Sequence, residues 1–162
     1  MNIRKATAND VREILTIYDD ARIYMRENGN RAQWTGNYPS ESTVRDDIAN
    51  DTLYVCVEED TILGVFFFRI GNDPTYLQIY EGQWQNDAPY GVIHRIAVSK
   101  NSHGKGVAAF CFAYCYALCG NLKIDTHRDN LPMQRALQKN GFVQCGIIYL
   151  ASGDARIAYQ KC

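Results

Sequence analysis

The chain has 162 residues, of which 46% are hydrophobic and 22% charged, and its formal net charge is −1. This length can bury a core of its own, which predicts a single domain over residues 1–162. The balanced charge lacks the basic patch that nucleic acids require, and the apolar runs fall far short of the roughly 20 residues that cross a bilayer. We therefore expect neither a nucleic-acid nor a membrane partner.

The N-terminal residues run directly into a folded pattern without a signal-peptide core, which predicts a cytoplasmic protein with reduced thiols. None of the six cysteines shows the C-x-x-C spacing of a metal or redox site. Cys111, Cys115 and Cys119 recur every four residues, so a helix would place them on one stripe, where free cysteine packs as a small hydrophobe. We expect no metal site.

The N-terminal half predicts a short strand, two helices and a hairpin. Apolar residues between Val11 and Met25 recur with a period of 3.6, which indicates an amphipathic helix that stops at Gly29. Two β-rich runs joined by an acidic turn predict the antiparallel hairpin. These segments are residues 2–7, 11–25, 40–48, 53–57 and 62–70.

A polar, aromatic stretch over residues 71–90 follows, in which we predict one short strand at 76–80. Beyond it strands and helices alternate, and a strand–helix–strand order makes two strands parallel neighbours through a right-handed crossover. The sequence thus predicts an α+β (mixed α/β) fold with a central mixed sheet of six to seven strands and about four flanking helices. The later segments are residues 92–98, 107–119, 122–126, 132–140, 142–150 and 157–161.

The turn between the strand at 92–98 and the helix at 107–119 contains Gly104 and Gly106. Glycine lets the backbone approach a ligand closely, and the first helical turn offers unpaired N–H groups at the positive end of the helix dipole. Lys105 adds a full positive charge. The turn therefore favours a phosphate ligand, with a tight turn that binds nothing as the alternative.

The same glycines also fit a dinucleotide fingerprint, with Asp125 about 20 residues downstream in the place of a ribose-binding acid. In that fingerprint the glycines follow the first strand of the domain closely, whereas here Ser99–His103 intervene. The chain after Asp125 is also too short for the further β-α-β units of a dinucleotide site. A nicotinamide or flavin cofactor is therefore the weaker hypothesis.

The turn instead resembles the pyrophosphate loop of the GNAT superfamily of acetyl-CoA-dependent N-acetyltransferases, whose pattern is Q/R-x-x-G-x-G/A between a strand and a helix. The resemblance continues through the strand His94–Val98. It also includes Asn130 and the later pair Gly141-Phe142, which resemble the family's N-x-x-A-x-x-x-Y-x-x-x-G-F segment. The N-terminal elements come in the family's order, so the resemblance covers nearly the whole chain.

The resemblance implies an enzyme that moves an acetyl group from acetyl-CoA to a primary amine of a small molecule or peptide, by direct transfer in a ternary complex. A non-catalytic acyl-CoA-binding or sensing module is the alternative, and a homodimer is a further expectation. The strand backbone would pair with pantetheine, the loop amides would hold the pyrophosphate, and the two parallel strands would splay apart. The implied cofactor contacts are Ile96, Ala97, Val98, His103, Gly104, Lys105, Gly106, Val107, Ala108, Asn130 and Met133.

Three positions depart from the family pattern. Asn101 occupies the Q/R position of the loop, and Met133 stands where alanine is frequent. Leu137 stands where many members carry the tyrosine that is thought to protonate the CoA thiolate. Ser102, His127 or water stay open as proton donors, and Asn130 stays open between a pantetheine contact and a helix cap.

An amine acceptor must lose a proton before it attacks, and three residues are candidate bases. His94 comes first because imidazole titrates near neutral pH and because strand alternation would place it on the face of Ile96 and Val98. A histidine packed in the core is the alternative. Glu81 is the second candidate, and His127, at the end of the second parallel strand, is the third.

Aromatic residues in the two irregular loops predict the acceptor pocket. Together with acidic neighbours they would surround a cationic amine through cation–π contacts. Packing of these rings beneath their own loops is the alternative. The residues assigned to the acceptor are Trp34, Tyr80, Trp84 and Tyr90.

Overall fold

The computed structural model describes residues 1–162, which form a seven-stranded mixed sheet and four α-helices. The helices are α1 (Val11–Glu27), α2 (Glu41–Ala49), α3 (Val107–Cys119) and α4 (Leu131–Lys139). The strands are β1 (Asn2–Lys5), β2 (Leu53–Glu58), β3 (Thr61–Ile70), β4 (Gly91–Val98), β5 (Leu122–Thr126), β6 (Val143–Tyr149) and β7 (Ala155–Lys161). The strand order is β1-β2-β3-β4-β5-β7-β6, and only β4 and β5 are parallel. The expected mixed fold is confirmed.

Helices cover both faces of the sheet because each face carries an apolar core. On one face α1 and α2 pack over a core that includes Ile14 and Val44. On the other face α3 and α4 pack over a larger core that includes Phe112 and Leu137, both fully buried. None of the helices combines the length and the apolar character that crossing a membrane requires.

The cysteine stripe lies on the inner side of α3. Cys111 and Cys115 are buried in the core beneath the helix, and Cys119 packs at the margin of that core. Burial raises the pKa of the Cys115 thiol, which keeps it protonated. These thiols therefore contribute to the packing of α3, as their four-residue spacing predicts.

The segment between β3 and β4, residues 71–90, is irregular and is called here the β3–β4 loop. The strand expected at 76–80 is absent, because Pro74–Tyr76 form a single 3₁₀ turn and Tyr80 makes only one antiparallel bridge, to Ile147. The loop runs so close to β6 that a Cβ atom at Gly82 would overlap the backbone of that strand. The β3–β4 loop therefore packs directly against β6 without forming a further strand.

Buried amide side chains fix the β3–β4 loop to the sheet. Gln160 in β7 is fully buried, and its Nε2 donates to Oδ1 of Asn121 (2.8 Å) and to Oδ1 of Asn86 (3.2 Å). Its Oε1 accepts from the backbone N–H of Gln85 at 2.7 Å. Asn121 Nδ2 also donates to Asn86 Oδ1 at 3.0 Å. This amide network holds an irregular loop in a defined position.

β4 contains a β-bulge at Arg95, which has a φ of +49°. The extra residue shifts the register with β3 and interrupts the alternation of side chains. Ile96 and Val98 therefore pack towards the core beneath α3, whereas His94 lies on the opposite face beside Phe67. The prediction that His94 shares a face with Ile96 and Val98 is wrong for this reason.

Contacts from α1 and α2 hold the bulge. The hydroxyl of Tyr18 donates to the carbonyl oxygen of Arg95 at 2.9 Å, and burial raises the pKa of this hydroxyl, so that it remains a donor. The Arg95 guanidinium donates to Asp47 Oδ2 from Nη2 (2.7 Å) and Nε (3.1 Å). Hydrogen bonds to both the main chain and the side chain of Arg95 thus stabilise its unusual backbone conformation.

The parallel pair β4–β5 separates soon after it begins. Only Gly91 and Val92 of β4 pair with β5, opposite Leu122 and Lys123. From residue 93 onwards the edge of β4 that faces β5 has no strand partner, while β5 continues to pair with β7. This splay opens a cleft between the two strands at their carboxyl ends, where open α/β sheets bind ligands.

Candidate active site

Two cavities meet at the splay between β4 and β5. The first, of about 420 Å³, extends from β4 past the glycine turn to α3 and α4 and is called the groove. The second, of about 290 Å³, contains the charged residues and is called the polar cavity. Met25, Ile96, Asn130 and Met133 line both, so the two form one continuous cleft.

The groove brings together nearly all of the residues predicted to contact a cofactor. Every one of them except Lys105 lines it, and the side chain of Lys105 is exposed to solvent. The groove also includes Tyr24 and Met25 of α1, which sequence reasoning missed. The residues shared between prediction and groove are Ile96, Ala97, Val98, His103, Gly104, Gly106, Val107, Ala108, Asn130 and Met133.

The glycine turn presents backbone amides to the groove. Gly106, the residue before α3, has a φ of +76° and provides no side-chain cap. The first hydrogen bond of the helix runs from the N–H of Phe110 to the carbonyl oxygen of Gly106 at 3.0 Å. The N–H groups of residues 107–109 therefore have no protein acceptor and lie at the positive end of the helix dipole. A Cβ atom at Gly104 would meet no protein atom within 4 Å. This arrangement fits an anion such as a pyrophosphate.

Asn130 caps α4 at the junction of the two cavities. Its Oδ1 accepts from the N–H of Met133 at 3.2 Å, and its Nδ2 donates to Oε1 of Gln33 at 2.9 Å. The same Gln33 oxygen accepts from Nδ2 of Asn30 at 2.8 Å. Asn130 therefore fixes the start of α4 to the segment after α1, and a contact between Asn130 and pantetheine stays a prediction.

His94 lies between two carboxylates in the polar cavity. Its Nε2 is 2.7 Å from Oδ2 of Asp73, and its Nδ1 is 3.9 Å from Oδ2 of Asp125. Asp125 in turn accepts from the hydroxyl of Tyr76 at 2.6 Å, and Asp73 accepts from both the N–H and the hydroxyl of Thr75. The imidazole is therefore held in one orientation at the carboxyl ends of the splayed strands.

The electrostatics of this group favour an ionised Asp73. Burial disfavours its charged form, but the hydrogen bonds from His94 and Thr75 outweigh burial and hold the pKa of Asp73 well below its ordinary value. Burial and the nearby carboxylate of Asp125 raise the pKa of Tyr76 further above its usual range, so its hydroxyl remains a donor. A carboxylate that accepts from one imidazole nitrogen fixes the tautomer of the ring and leaves the other nitrogen as an acceptor.

Of the three candidate bases, only His94 lines the polar cavity. Glu81 is exposed on the β3–β4 loop, where its φ is +54°. His127 is buried beyond the end of β5, and its Nδ1 accepts from the N–H of Asp129 at 3.0 Å. Burial lowers the pKa of His127, and the positive charge of Arg156 acts in the same direction. His127 therefore takes part in the turn after β5 and lies outside the polar cavity.

Of the four residues predicted for the acceptor, only Trp34 lines the polar cavity. Trp84 and Tyr90 instead pack around Nζ of Lys123, which lies 4.2 and 4.0 Å from their ring centroids. Tyr80 is exposed at the edge of the loop. Two of the four rings, Trp84 and Tyr90, therefore pack between the β3–β4 loop and β5, as the alternative interpretation has it.

The chain is similar to known acetyltransferases over most of its length. A profile of the acetyltransferase (GNAT) family matches residues 13–142. A GNAT family acetyltransferase from Streptococcus agalactiae 2603 is 32% identical, with a TM-score of 0.90 over 99% of this chain and 94% of that one. A candidate acetyltransferase from Staphylococcus aureus Mu50 is 27% identical, with a TM-score of 0.71 over 99% and 98% of the two chains. No curated protein gives a significant match.

Proposed function

Because the chain belongs to the GNAT family of acetyltransferases, we propose that it transfers the acetyl group of acetyl-CoA to a primary amine of a small molecule or peptide. One observation carries the proposal: the groove with its unpaired amides opens into the polar cavity that contains His94. Ile96 lines both. A thioester that followed the groove to its inner end would meet an amine in the polar cavity.

The groove offers a separate contact for each part of acetyl-CoA. The amides of residues 107–109 would bind the pyrophosphate. The unpartnered edge of β4 from residue 93 onwards would hydrogen-bond pantetheine as an added strand. Met133 and Pro132 would contact its apolar portions. When bound, acetyl-CoA supplies the acetyl group as an activated thioester.

His94 is the base in this proposal. A primary amine is protonated at neutral pH, so a proton must leave before its nitrogen can attack. With Nε2–H donating to the ionised Asp73, Nδ1 accepts the proton directly or through a water molecule. An N–H of the strand around Ile96 donates to the thioester oxygen. The new C–N bond replaces the C–S bond, the nitrogen loses its second proton to solvent as the tetrahedral intermediate collapses, and the CoA thiolate takes a proton from solvent.

Direct transfer is supported by the residues that line the cleft. A route through an acetylated enzyme needs a nucleophile at the thioester, and cysteine is the side chain best suited to that role. No cysteine lines either cavity. We therefore expect intersecting, not parallel, initial-velocity plots when acetyl-CoA and the amine are varied together.

The test is release of free CoA thiol from acetyl-CoA in the presence of a mixed panel of amines. His94→Gln is expected to lower kcat by about 10²–10⁴-fold, the usual contribution of a general base. The acetyl-CoA dissociation constant should change little, because His94 lies in the polar cavity and not in the groove. Unchanged turnover in His94→Gln would remove the base assignment. Binding of acetyl-CoA without thiol release from any amine would favour a non-catalytic module.

A further inference from the structure

Arg156 in β7 is a buried arginine that has no acidic partner. The residue is 6% exposed and lines the polar cavity. Its one hydrogen bond runs from Nη1 to the carbonyl oxygen of Ala155 at 3.0 Å, and it makes no ion pair within the chain. A guanidinium has five N–H donors, and burying it without a counter-charge is unfavourable. Most of its donors are therefore left for a ligand.

The other arginine that lines the polar cavity is already neutralised. Arg95 makes two hydrogen bonds to Asp47, at 2.7 and 3.1 Å, and one from Nη1 to the hydroxyl of Tyr38 at 3.3 Å. Its guanidinium also lies over the ring of Phe67, 4.8 Å from the centroid. Groups of the protein thus satisfy the charge and the hydrogen-bond donors of Arg95. Arg156 is the arginine of the cavity whose charge and most of whose donors lack such partners.

Charges of opposite sign occupy different positions along one face of the sheet. In the β5–β7 register Asp125 faces Ala158 and Thr126 faces Ile157, so Arg156 lies one position beyond the end of β5. Strand alternation places Arg156 on the same face as Ala158 and Asp125. The polar cavity therefore has an acidic end, where Asp73 and Asp125 flank His94, and a basic end at Arg156.

From this arrangement we infer that the acetyl acceptor carries a carboxylate as well as its amine, and that Arg156 binds the carboxylate. The planar fork of a guanidinium matches a carboxylate with two parallel hydrogen bonds. The acidic end of the cavity then receives the amine next to His94. Amino acids and short peptides are the class of molecule that combines these groups. The inference rests on the proposed acetyl transfer and narrows its acceptor.

The first test compares matched acceptors with the wild-type enzyme. Each amino acid in the panel is paired with its carboxamide, which keeps the amine and removes the negative charge. We expect the best carboxylate to have a kcat/KM at least about tenfold above that of its carboxamide, since hydrogen bonds between charged groups are the strong ones. Equal acetylation of the two members of every pair would overturn the inference and leave the proposed function intact.

The second test uses Arg156→Gln, with the exposed Arg128→Gln as a control for loss of one positive charge near the same edge of the sheet. We expect Arg156→Gln to lower kcat/KM for the carboxylate about 10–100-fold, mainly through KM. Its kcat/KM for the carboxamide should change less than about threefold. Arg156→Lys should recover part of the loss, because it restores the charge without the fork. Arg128→Gln should behave as wild type.

Two further results separate the possible failures. Thermal stabilisation by acetyl-CoA must survive in Arg156→Gln and Arg156→Lys, which establishes that both variants are folded and bind the donor. Equal losses for carboxylate and carboxamide in both variants would mean that Arg156 acts only on the fold, and would overturn the inference. If wild-type protein acetylates neither member of any pair but acetylates another amine of the mixed panel, the inference fails and the proposed function stands. If it binds acetyl-CoA and acetylates no amine at all, the proposed function fails and the inference fails with it.

Discussion

The protonation of Asp73 is determined more by its partners than by its burial. His94 and Thr75 donate to its two oxygens, and these bonds hold its pKa well below the ordinary value. An acid whose pKa falls on folding stabilises the folded state above its unfolded pKa of about 3.9. That stabilisation is lost as the pH falls through the lower, folded-state pKa.

Asp73→Asn should therefore lower the free energy of unfolding by about 1–3 kcal/mol at pH 7, the range for hydrogen bonds to a charged group. The difference from wild type should shrink as the pH falls below about 4, because Asp73 of the unfolded wild-type chain then takes up a proton while the folded-state carboxylate stays ionised. Urea unfolding between pH 7 and pH 3 measures both quantities. Asp51→Asn, at an exposed aspartate, is the control and should stay within about 0.5 kcal/mol of wild type. A difference that does not depend on pH would contradict the assignment.

Single residues of the site were predictable where a local pattern marked them. The glycine turn has such a pattern, and His94 lies in a recognisable strand. Asp73 lies 21 residues before His94 in a loop with no regular structure, so no spacing rule connects the two. Arg156 lies just before the last predicted strand, and no motif or spacing in the sequence marks it. Its significance comes only from what it does not contact, and a sequence cannot reveal that.

The start of α3 is the element on which cofactor binding depends. Gly104 has a φ of +78°, and a Cβ there would meet no protein atom within 4 Å. Gly120, at the other end of the same helix, has a φ of +66° and is equally free of neighbours. The two glycines therefore impose a similar backbone requirement, but only Gly104 lines the groove.

Gly104→Ala and Gly120→Ala form a matched pair. Each should destabilise the protein by about 1–2 kcal/mol, the cost of a left-handed conformation for a residue with a Cβ atom. Only Gly104→Ala should also weaken acetyl-CoA binding, by about tenfold or more, because Gly104 lines the groove and its new methyl group would meet the ligand. Calorimetric titration measures the affinity and urea unfolding the stability. Equal affinities in the two variants would remove the glycine turn from the cofactor site.

Regular elements were predicted well and their irregularities were not. The hairpin, the parallel crossover and the helices follow from hydrophobic period and turn composition, and each is present. The bulge at Arg95 was missed because arginine rarely adopts a positive φ, and contacts with Tyr18 and Asp47 hold it there. The β3–β4 loop was predicted only in part, because its shape depends on buried amides of Gln160 in β7 and of Asn121, the residue before β5.

At the scale of the whole molecule, the cleft joins both helical layers. Residues of α1, α3 and α4 line the groove together with β4, so a ligand there would connect the two halves of the fold. Acetyl-CoA at 100 times its dissociation constant should raise the free energy of unfolding by about 2.7 kcal/mol. A thermal melt with acetyl-CoA, CoA and a nicotinamide dinucleotide measures this, and we expect only the first two to raise the Tm. A rise in Tm with the dinucleotide alone would instead favour a nicotinamide cofactor, the weaker hypothesis from the sequence.

The amide network also constrains how this protein can change over generations. Gln160, Asn121 and Asn86 satisfy one another away from water, so replacing any one of them leaves a buried donor or acceptor unmatched, at a cost of about 1–3 kcal/mol. Replacing all three by apolar groups of similar shape removes the mismatch among these side chains, but the backbone N–H groups of Gln85 and Ala88 then lose their acceptors. Substitutions here are therefore conditional on one another, and a lineage that loses one amide is under pressure to lose the others. The three amides should change as a unit.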